Sequence, residues 1–375
     1  MKYYIIAGEA SGDLHGSNLI KEIIKLDGEA VIRCWGGNLM KEAGGELVKH
    51  YKGLAFMGFL EVVQNLPVIL NNIKFCKKDI AAFQPHILVL IDYPGFNLRI
   101  AKWAKAQGLK IIYYISPQVW AWKEGRVKLI KKVVDKMLVI LPFEKEFYQT
   151  KWNYKVEYIG HPLVEVINEF IENNKPKTTF KKPVIALLPG SRRQEVAVKL
   201  PIMLEATTSF PQYQFVVAKA TSLDDSFYKE LLKNYVNVFA AKNDTYNILA
   251  QSKAALVTSG TATLETALFN VPQVVCYKGS AISYQIAKRL IRIKYISLVN
   301  LIMHREVIKE LIQQNLTVEN LVRELDLILT NEERVAAIKK DYQELKKLLQ
   351  QDGSASKKAA KLIVDSASAT SSPII

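Results

Sequence analysis

The sequence predicts an α/β protein made of two doubly wound domains with parallel sheets. Three observations carry this. The chain opens on an apolar run, residues 3–7, then the Gly-rich stretch Gly8-Glu9-Ala10-Ser11-Gly12-Asp13, then a helical stretch, residues 14–26. The same strand–turn–helix order returns at residues 183–195, PVIALLPGSRRQE, where Pro189-Gly190-Ser191 breaks a second apolar run. Between them, residues 172–182 are polar, Lys-rich and carry Pro176, as a linker does. A chain of 375 residues is long enough for two ordinary domains.

Composition narrows the class. Apolar residues make up 49% and charged residues 23%, the profile of a globular protein with a sizeable core. The net charge of +15 points to an anionic partner. No DNA- or RNA-binding signature accompanies it, so a phosphorylated ligand or an acidic membrane surface is the better match and nucleic acid is not expected. Cys34, Cys76 and Cys276 are far apart and form no Cys-x-x-Cys, which argues against a disulfide framework or a zinc site and fits a reducing cytoplasm. Lys2 runs straight into the first apolar run, which speaks against a signal peptide. No apolar run approaches the roughly 20 residues that span a bilayer.

Taken in order, the opening turn differs from a dinucleotide fingerprint. Its glycines are spaced G-x-x-x-G, and the second strand, residues 31–35, ends in Gly36-Gly37 where a ribose-binding acid would stand. Glu9, Ser11 and Asp13 are ligand candidates or helix caps. Residues 53–73 are apolar on more than one face and are followed by Lys74, Lys77 and Lys78. They read as a buried helix or as a segment that meets lipid, with Phe56, Met57, Phe59, Leu60, Val63 and Leu66 as the contacts. The strand at 87–91 ends in Asp92-Tyr93-Pro94-Gly95-Phe96-Asn97. An acid at the C-terminal end of a parallel strand points into the ligand crevice, so Asp92 is a candidate general base or the cap of the next helix. Strands follow at 110–115, 134–141 and 156–159, with Trp120 and Trp122 on the loop after the first and His161, a cleft or structural residue, after the last.

In the second half, the strand at 184–188 delivers Gly190, Ser191 and Arg192 to the start of a helix. Backbone N–H groups, the helix dipole and the guanidinium groups of Arg192 and Arg193 converge there, which suits a diphosphate. It is not a Walker A loop, because no Gly-Lys-Ser/Thr follows. Strands at 214–218, 236–239 and 254–257 come next. The last ends in Ser259-Gly260-Thr261-Ala262-Thr263-Leu264-Glu265, a second small-residue turn at a helix start, in which Glu265 could chelate a ribose diol. A strand at 272–277, a helix at 280–290 and Lys-bearing helices at 332–349 and 357–366 complete the chain, with a Ser/Ala-rich tail at 367–375.

These residues resemble a known family. GEASGD at Gly8, IDYPGFN at Ile91, SPQVWAWKEGRV at Ser116, LPFEKEFY at Leu141, IGHP at Ile159, LLPGSRRQEV at Leu187, SGTATLE at Ser259, and ISLVNLI with Arg305 follow the motif series of lipid-A-disaccharide synthase, in order from residue 3 to about residue 315. Family members often carry a second acid in IDxPxFN where this chain has Gly95, which leaves Asp92 as the base.

The resemblance implies a GT-B glycosyltransferase: two Rossmann-like domains facing across a cleft. The first spans residues 1–172, the second, nucleotide-binding, spans residues 180–349, and the last helix, about 350–366, crosses back to the first. It implies transfer of 2,3-diacylglucosamine from UDP to 2,3-diacylglucosamine 1-phosphate (lipid X), at the cytoplasmic face of a Gram-negative inner membrane, by a peripheral protein without metal or cofactor. A homodimer formed by exchange of C-terminal segments is left open. On this reading Asp92 and Arg192 are catalytic. Gly190, Ser191, Ser259, Gly260, Thr261, Glu265, Asn300 and Arg305 bind the nucleotide, and Glu9, Ser11 and Asp13 line the acceptor side. The competing readings are another UDP-sugar enzyme of this fold, such as a 2-epimerase, and a non-catalytic nucleotide- or lipid-binding protein.

Overall fold

The computed structural model describes residues 1–53, 66–173, 180, 182–220, 222–242, 244–279, 294–351 and 353–368. The chain forms two compact units, Met1–Pro162 together with Leu349–Ile375, and Leu163–Leu348. Each is built on one parallel sheet, as the alternating apolar runs and helical stretches require.

In the first unit the strands are β1 (Lys2–Ala7), β2 (Val31–Gly36), β3 (Glu46–His50), β4 (Ile87–Ile91), β5 (Lys110–Tyr114), β6 (Lys136–Val139) and β7 (Glu157–Tyr158). Their order is β3-β2-β1-β4-β5-β6-β7. The central strands are buried on both faces, which is why ILVLI at β4 shows no alternation. Tyr4, Ile6, Leu88, Leu90 and Tyr113 share one face with Trp35. Two tyrosines in β1 send their hydroxyls to carboxylates: Tyr3 Oη to Asp27 at 2.9 Å and Tyr4 Oη to Asp79 at 2.6 Å. Buried polar tips need such partners.

The second unit holds β8 (Val184–Leu188), β9 (Gln214–Lys219), β10 (Val238–Lys242), β11 (Ser252–Thr258), β12 (Gln273–Tyr277) and β13 (Lys309–Ile312), in the order β10-β9-β8-β11-β12-β13. In both sheets the winding direction reverses beside the first strand, between β1 and β4 and between β8 and β11. Two edge strands, β3 (ELVKH) and β13 (KELI), are absent from the sequence reading. Their charged, half-exposed residues suit a sheet margin and leave no apolar run to detect.

The last helix, Ala355–Ser368, packs on the helix Ala10–Leu26 of the first unit. Its inward face is small, with Ala359, Ala360, Ile363 and Ala367 buried, and Lys110 Nζ donates to the Ser366 carbonyl at 2.7 Å. The chain re-enters this unit against the IGHP motif. The His161 N–H donates to the Leu349 carbonyl at 2.9 Å. Gly160 sits at φ +88°, and a Cβ there would lie 2.9 Å from that carbonyl oxygen. His161 is buried, and burial together with His15 lowers its pKa to about 3, so it is held neutral as part of this crossing. Gly160→Ala is therefore expected to cost about 1–3 kcal/mol, read as a lower urea midpoint; an unchanged midpoint would contradict this packing.

Candidate functional site

In open parallel sheets, ligands bind beyond the strand C-termini where the winding reverses. In the second unit that place is lined by both glycine turns. After β8, Gly190 adopts φ +119° and Arg192 is the extended N-cap of the helix Arg193–Thr207. After β11, Gly260 adopts φ +128° and caps the helix Thr261–Leu268. Only glycine takes these angles freely. Neither cap residue supplies a side-chain acceptor, so the first N–H groups of both helices keep their polarity for something else.

The two turns open on one cavity of about 460 Å³, with Gly190, Ser191 and Arg192 on one wall and Ser259, Gly260, Thr261 and Glu265 on the other. Arg192 is exposed and pairs with Glu195 at 3.2 Å. Arg193 stacks on the Phe227 ring at 4.4 Å, so only one of the two guanidinium groups is presented to the cavity. Ser259 Oγ donates to the Ile296 carbonyl at 2.8 Å. Glu265 accepts from Tyr246 Oη at 3.2 Å, and burial raises its pKa. Tyr246 is itself wedged between Phe170 and Phe269.

In the first unit the equivalent place is acidic. Asp92 and Tyr93 both lie in the left-handed region, at φ 42° and 47°. That conformation is costly for residues with a Cβ, and the surroundings hold it. Asn97 Nδ2 donates to the carbonyls of Ile91 at 3.2 Å and Asp92 at 2.7 Å, and Tyr113 Oη donates to the Asp92 carbonyl at 2.6 Å. The Tyr93 ring lies over Gly8, where a Cβ would fall 2.3 Å away. Burial, then the Glu9 carboxylate, raise the Asp92 pKa to about 7, against a smaller opposing bond from the Tyr93 N–H. Glu9 is the N-cap of Ala10–Leu26 and makes no capping bond.

The family profile described as Lipid-A-disaccharide synthetase matches residues 3–364. The chain belongs to the lipid-A-disaccharide synthase family. The Geobacter metallireducens lipid-A-disaccharide synthase is 40% identical over 330 residues, covering 86% of each chain, and that of Syntrophus aciditrophicus is 39% identical over 365 residues, covering 95% of each. Among solved structures, the glycotransferase of kitacinnamycin superposes with a TM-score of 0.67 at 13% identity, covering 97% of this chain and 98% of that one. The UDP-GlcNAc 2-epimerase of Neisseria meningitidis, bound to UDP-GlcNAc, gives 0.66 at 13%, covering 97% and 99%. At such identities the likeness shows the fold, GT-B. The family makes the chain a glycosyltransferase of lipid A biosynthesis.

For a lipid-A-disaccharide synthase, several expected residues stand elsewhere. Asp13 is buried and engaged by backbone. Its carboxylate accepts from the N–H groups of Gly37 at 2.7 Å, Leu39 at 3.3 Å and Met40 at 3.0 Å, capping the helix Asn38–Glu42 rather than its own. Ser11 is exposed on the first turn of its helix. Asn300 does not line the cavity: it is fully buried, donates to Ile308 O and Glu310 Oε1, both at 2.9 Å, and accepts from Val307 N and Ile308 N. Through Glu310, which receives the Ile296 and Ser297 N–H groups, it fixes the strip on which Ser259 rests. Arg305 is likewise off the cavity, paired with Asp341 at 3.0 Å and Glu344 at 2.6 Å. Phe56, Met57, Phe59, Leu60 and Val63 lie outside the described residues, whereas Leu66 opens the helix Leu66–Phe83 and is exposed. The sequence reading missed Lys219 and Thr245, which line the cavity together with Thr258, the residue that opens the hydroxyl-rich turn. Each stands at a strand end or helix start, the one signal that could have found them.

The linkage sign for Asp92 is testable. Its native pKa lies above its ordinary 3.8, so the native state keeps the proton longer than the unfolded chain, and ionisation costs stability as pH rises from about 4 to about 7. Asp92→Asn is expected to raise stability at pH 8 by on the order of 1–3 kcal/mol and to change it little at pH 4. Thermal melts at the two pH values measure this; equal effects at both would refute the raised pKa.

Proposed function

We propose that the chain transfers 2,3-diacylglucosamine from UDP to the 6-hydroxyl of 2,3-diacylglucosamine 1-phosphate, with inversion at the anomeric carbon. The products are the β-1,6-linked disaccharide 1-phosphate and UDP. The observation that carries this reading is the cavity between β8 and β11, where two helix N-termini and Arg192 converge. A diphosphate is the group that uses all three. The acylated sugars come from the family, in which the curated relatives bear the name lipid-A-disaccharide synthase.

The roles follow from the chemistry. Asp92, ionised above about 7, takes the acceptor hydroxyl proton as its oxygen attacks the anomeric carbon. The bond to the UDP oxygen breaks, and negative charge builds on the β-phosphate. Arg192 and the N–H groups of the Gly190 turn meet that charge without reorganising. Glu265, held by Tyr246, takes the ribose hydroxyls. Glu9 and Ser11 stand on the acceptor side.

The lipid tails need an apolar surface. Leu66, Val68 and Leu70 are exposed along one turn of Leu66–Phe83, followed by Lys74, Lys77 and Lys78. This pattern supports a peripheral contact at the cytoplasmic face of the inner membrane. Among the described residues no helix is long and apolar enough to cross a membrane.

The test is a detergent-supported assay with UDP-2,3-diacylglucosamine and lipid X, following both UDP and disaccharide. Both products are expected; UDP without disaccharide would move the chain to another acceptor. Asp92→Asn is expected to lower turnover about 10³-fold while UDP affinity stays within about twofold; near-normal turnover would remove Asp92 as the base. Arg192→Ala is expected to weaken UDP binding by about tenfold, and unchanged affinity by calorimetry would contradict its place at the phosphates.

A further inference from the structure

One charged side chain beneath the cavity has no part in the account above. Lys199 lies on the helix Arg193–Thr207 and its side chain is 3% exposed. A buried ammonium is expensive unless it is compensated, and burial lowers its pKa. Among the described residues it makes one hydrogen bond, to Thr258 Oγ1, and one ion pair, to Glu195 Oε2 at 3.9 Å. A Cβ placed on Gly190 would lie 3.5 Å from its Nζ and 2.5 Å from Glu195 Oε2. The ammonium therefore sits directly under the Gly190 turn.

The charges around that turn are informative. Glu195 bridges Arg192, at 3.2 Å, and Lys199. Among the described residues, two cations against one carboxylate leave a net positive charge beside the helix N-terminus. With Lys199 removed, the carboxylate would cancel Arg192 and face the incoming phosphates as a repelling neighbour. Arg192 is exposed and screened by water, whereas the Lys199 field is screened little.

We propose that Lys199 is a positioning residue that makes this cavity select for phosphate charge, holding Glu195 and Thr258 in place and favouring a nucleoside diphosphate over the monophosphate and the bare nucleoside. This rests on the nucleotide reading of the cavity. The ammonium touches no substrate and acts through its two partners and its field.

The experiment is calorimetric titration of the full chain with UDP, UMP, uridine and inorganic pyrophosphate. In Lys199→Met, which keeps the apolar stem, the UDP-to-uridine affinity ratio is expected to fall about tenfold or more, with UMP intermediate and uridine within about twofold. Lys199→Met with Glu195→Gln is expected to recover part of the ratio, because the uncompensated carboxylate is gone. A merely structural role would lower UDP and uridine alike; that result, or an unchanged ratio, overturns the proposal. Should Lys199→Met fail to fold, Glu195→Gln alone decides it. Lys199 then loses its internal counter-charge and the ratio is expected to rise, and a fall or no change overturns the proposal. Should the unaltered chain bind pyrophosphate but neither UDP nor uridine, the nucleotide reading fails. The loss of pyrophosphate affinity in Lys199→Met then still decides the role of Lys199. Binding of none of the probes would overturn both.

Discussion

The structure depends on one topological constraint: a doubly wound parallel sheet must reverse its winding beside its first strand. Where it reverses, adjacent strands send their chains to opposite faces, and no connection covers the gap at their C-terminal ends. The two helices that begin there leave N–H groups without intrahelical partners. This chain builds that gap twice, at β1 and β4 and at β8 and β11. At each place a strand runs into a turn held at positive φ, Asp92 and Tyr93 after β4, Gly190 after β8 and Gly260 after β11.

The two gaps are tuned in opposite directions. At β8 and β11 the turns present cationic groups and helix N-termini, with Glu195 as a counter-charge. At β1 and β4 a carboxylate is held in a strained conformation, where burial first and the Glu9 carboxylate second raise its pKa to about 7. The same backbone device therefore carries a cationic surround in one unit and a carboxylate in the other. What differs is a handful of side chains on turns whose shape is already fixed by the sheet.

Much of this was legible in the sequence. Buried parallel strands announce themselves as unbroken apolar runs, so β1, β4, β8 and β11 were found, and with them the turns at Asp92, Gly190 and Gly260. Edge strands such as β3 and β13 were not, because their residues answer to solvent on one side. Side-chain roles were harder. Asp13 and Asn300 stand in the motifs that carry the family resemblance, yet Asp13 is engaged by the N–H of Gly37, 24 residues on, and Asn300 by the segment from Val307 to Glu310. Lys199 was overlooked for the converse reason. A lysine in a helix reads as solvated, and only the packing around Thr258 reveals it as buried.

The return of the last helix to the first unit has a consequence for how the molecule is made. Residues 1–162 hold all seven strands of the first sheet, but the helix Ala355–Ser368 that covers a face of Ala10–Leu26 is synthesised only after the whole of the second unit. The second unit is thus an insertion within the first. The buried face of Ala10–Leu26 is therefore completed only by the C-terminal segment, the last part of the chain to be synthesised.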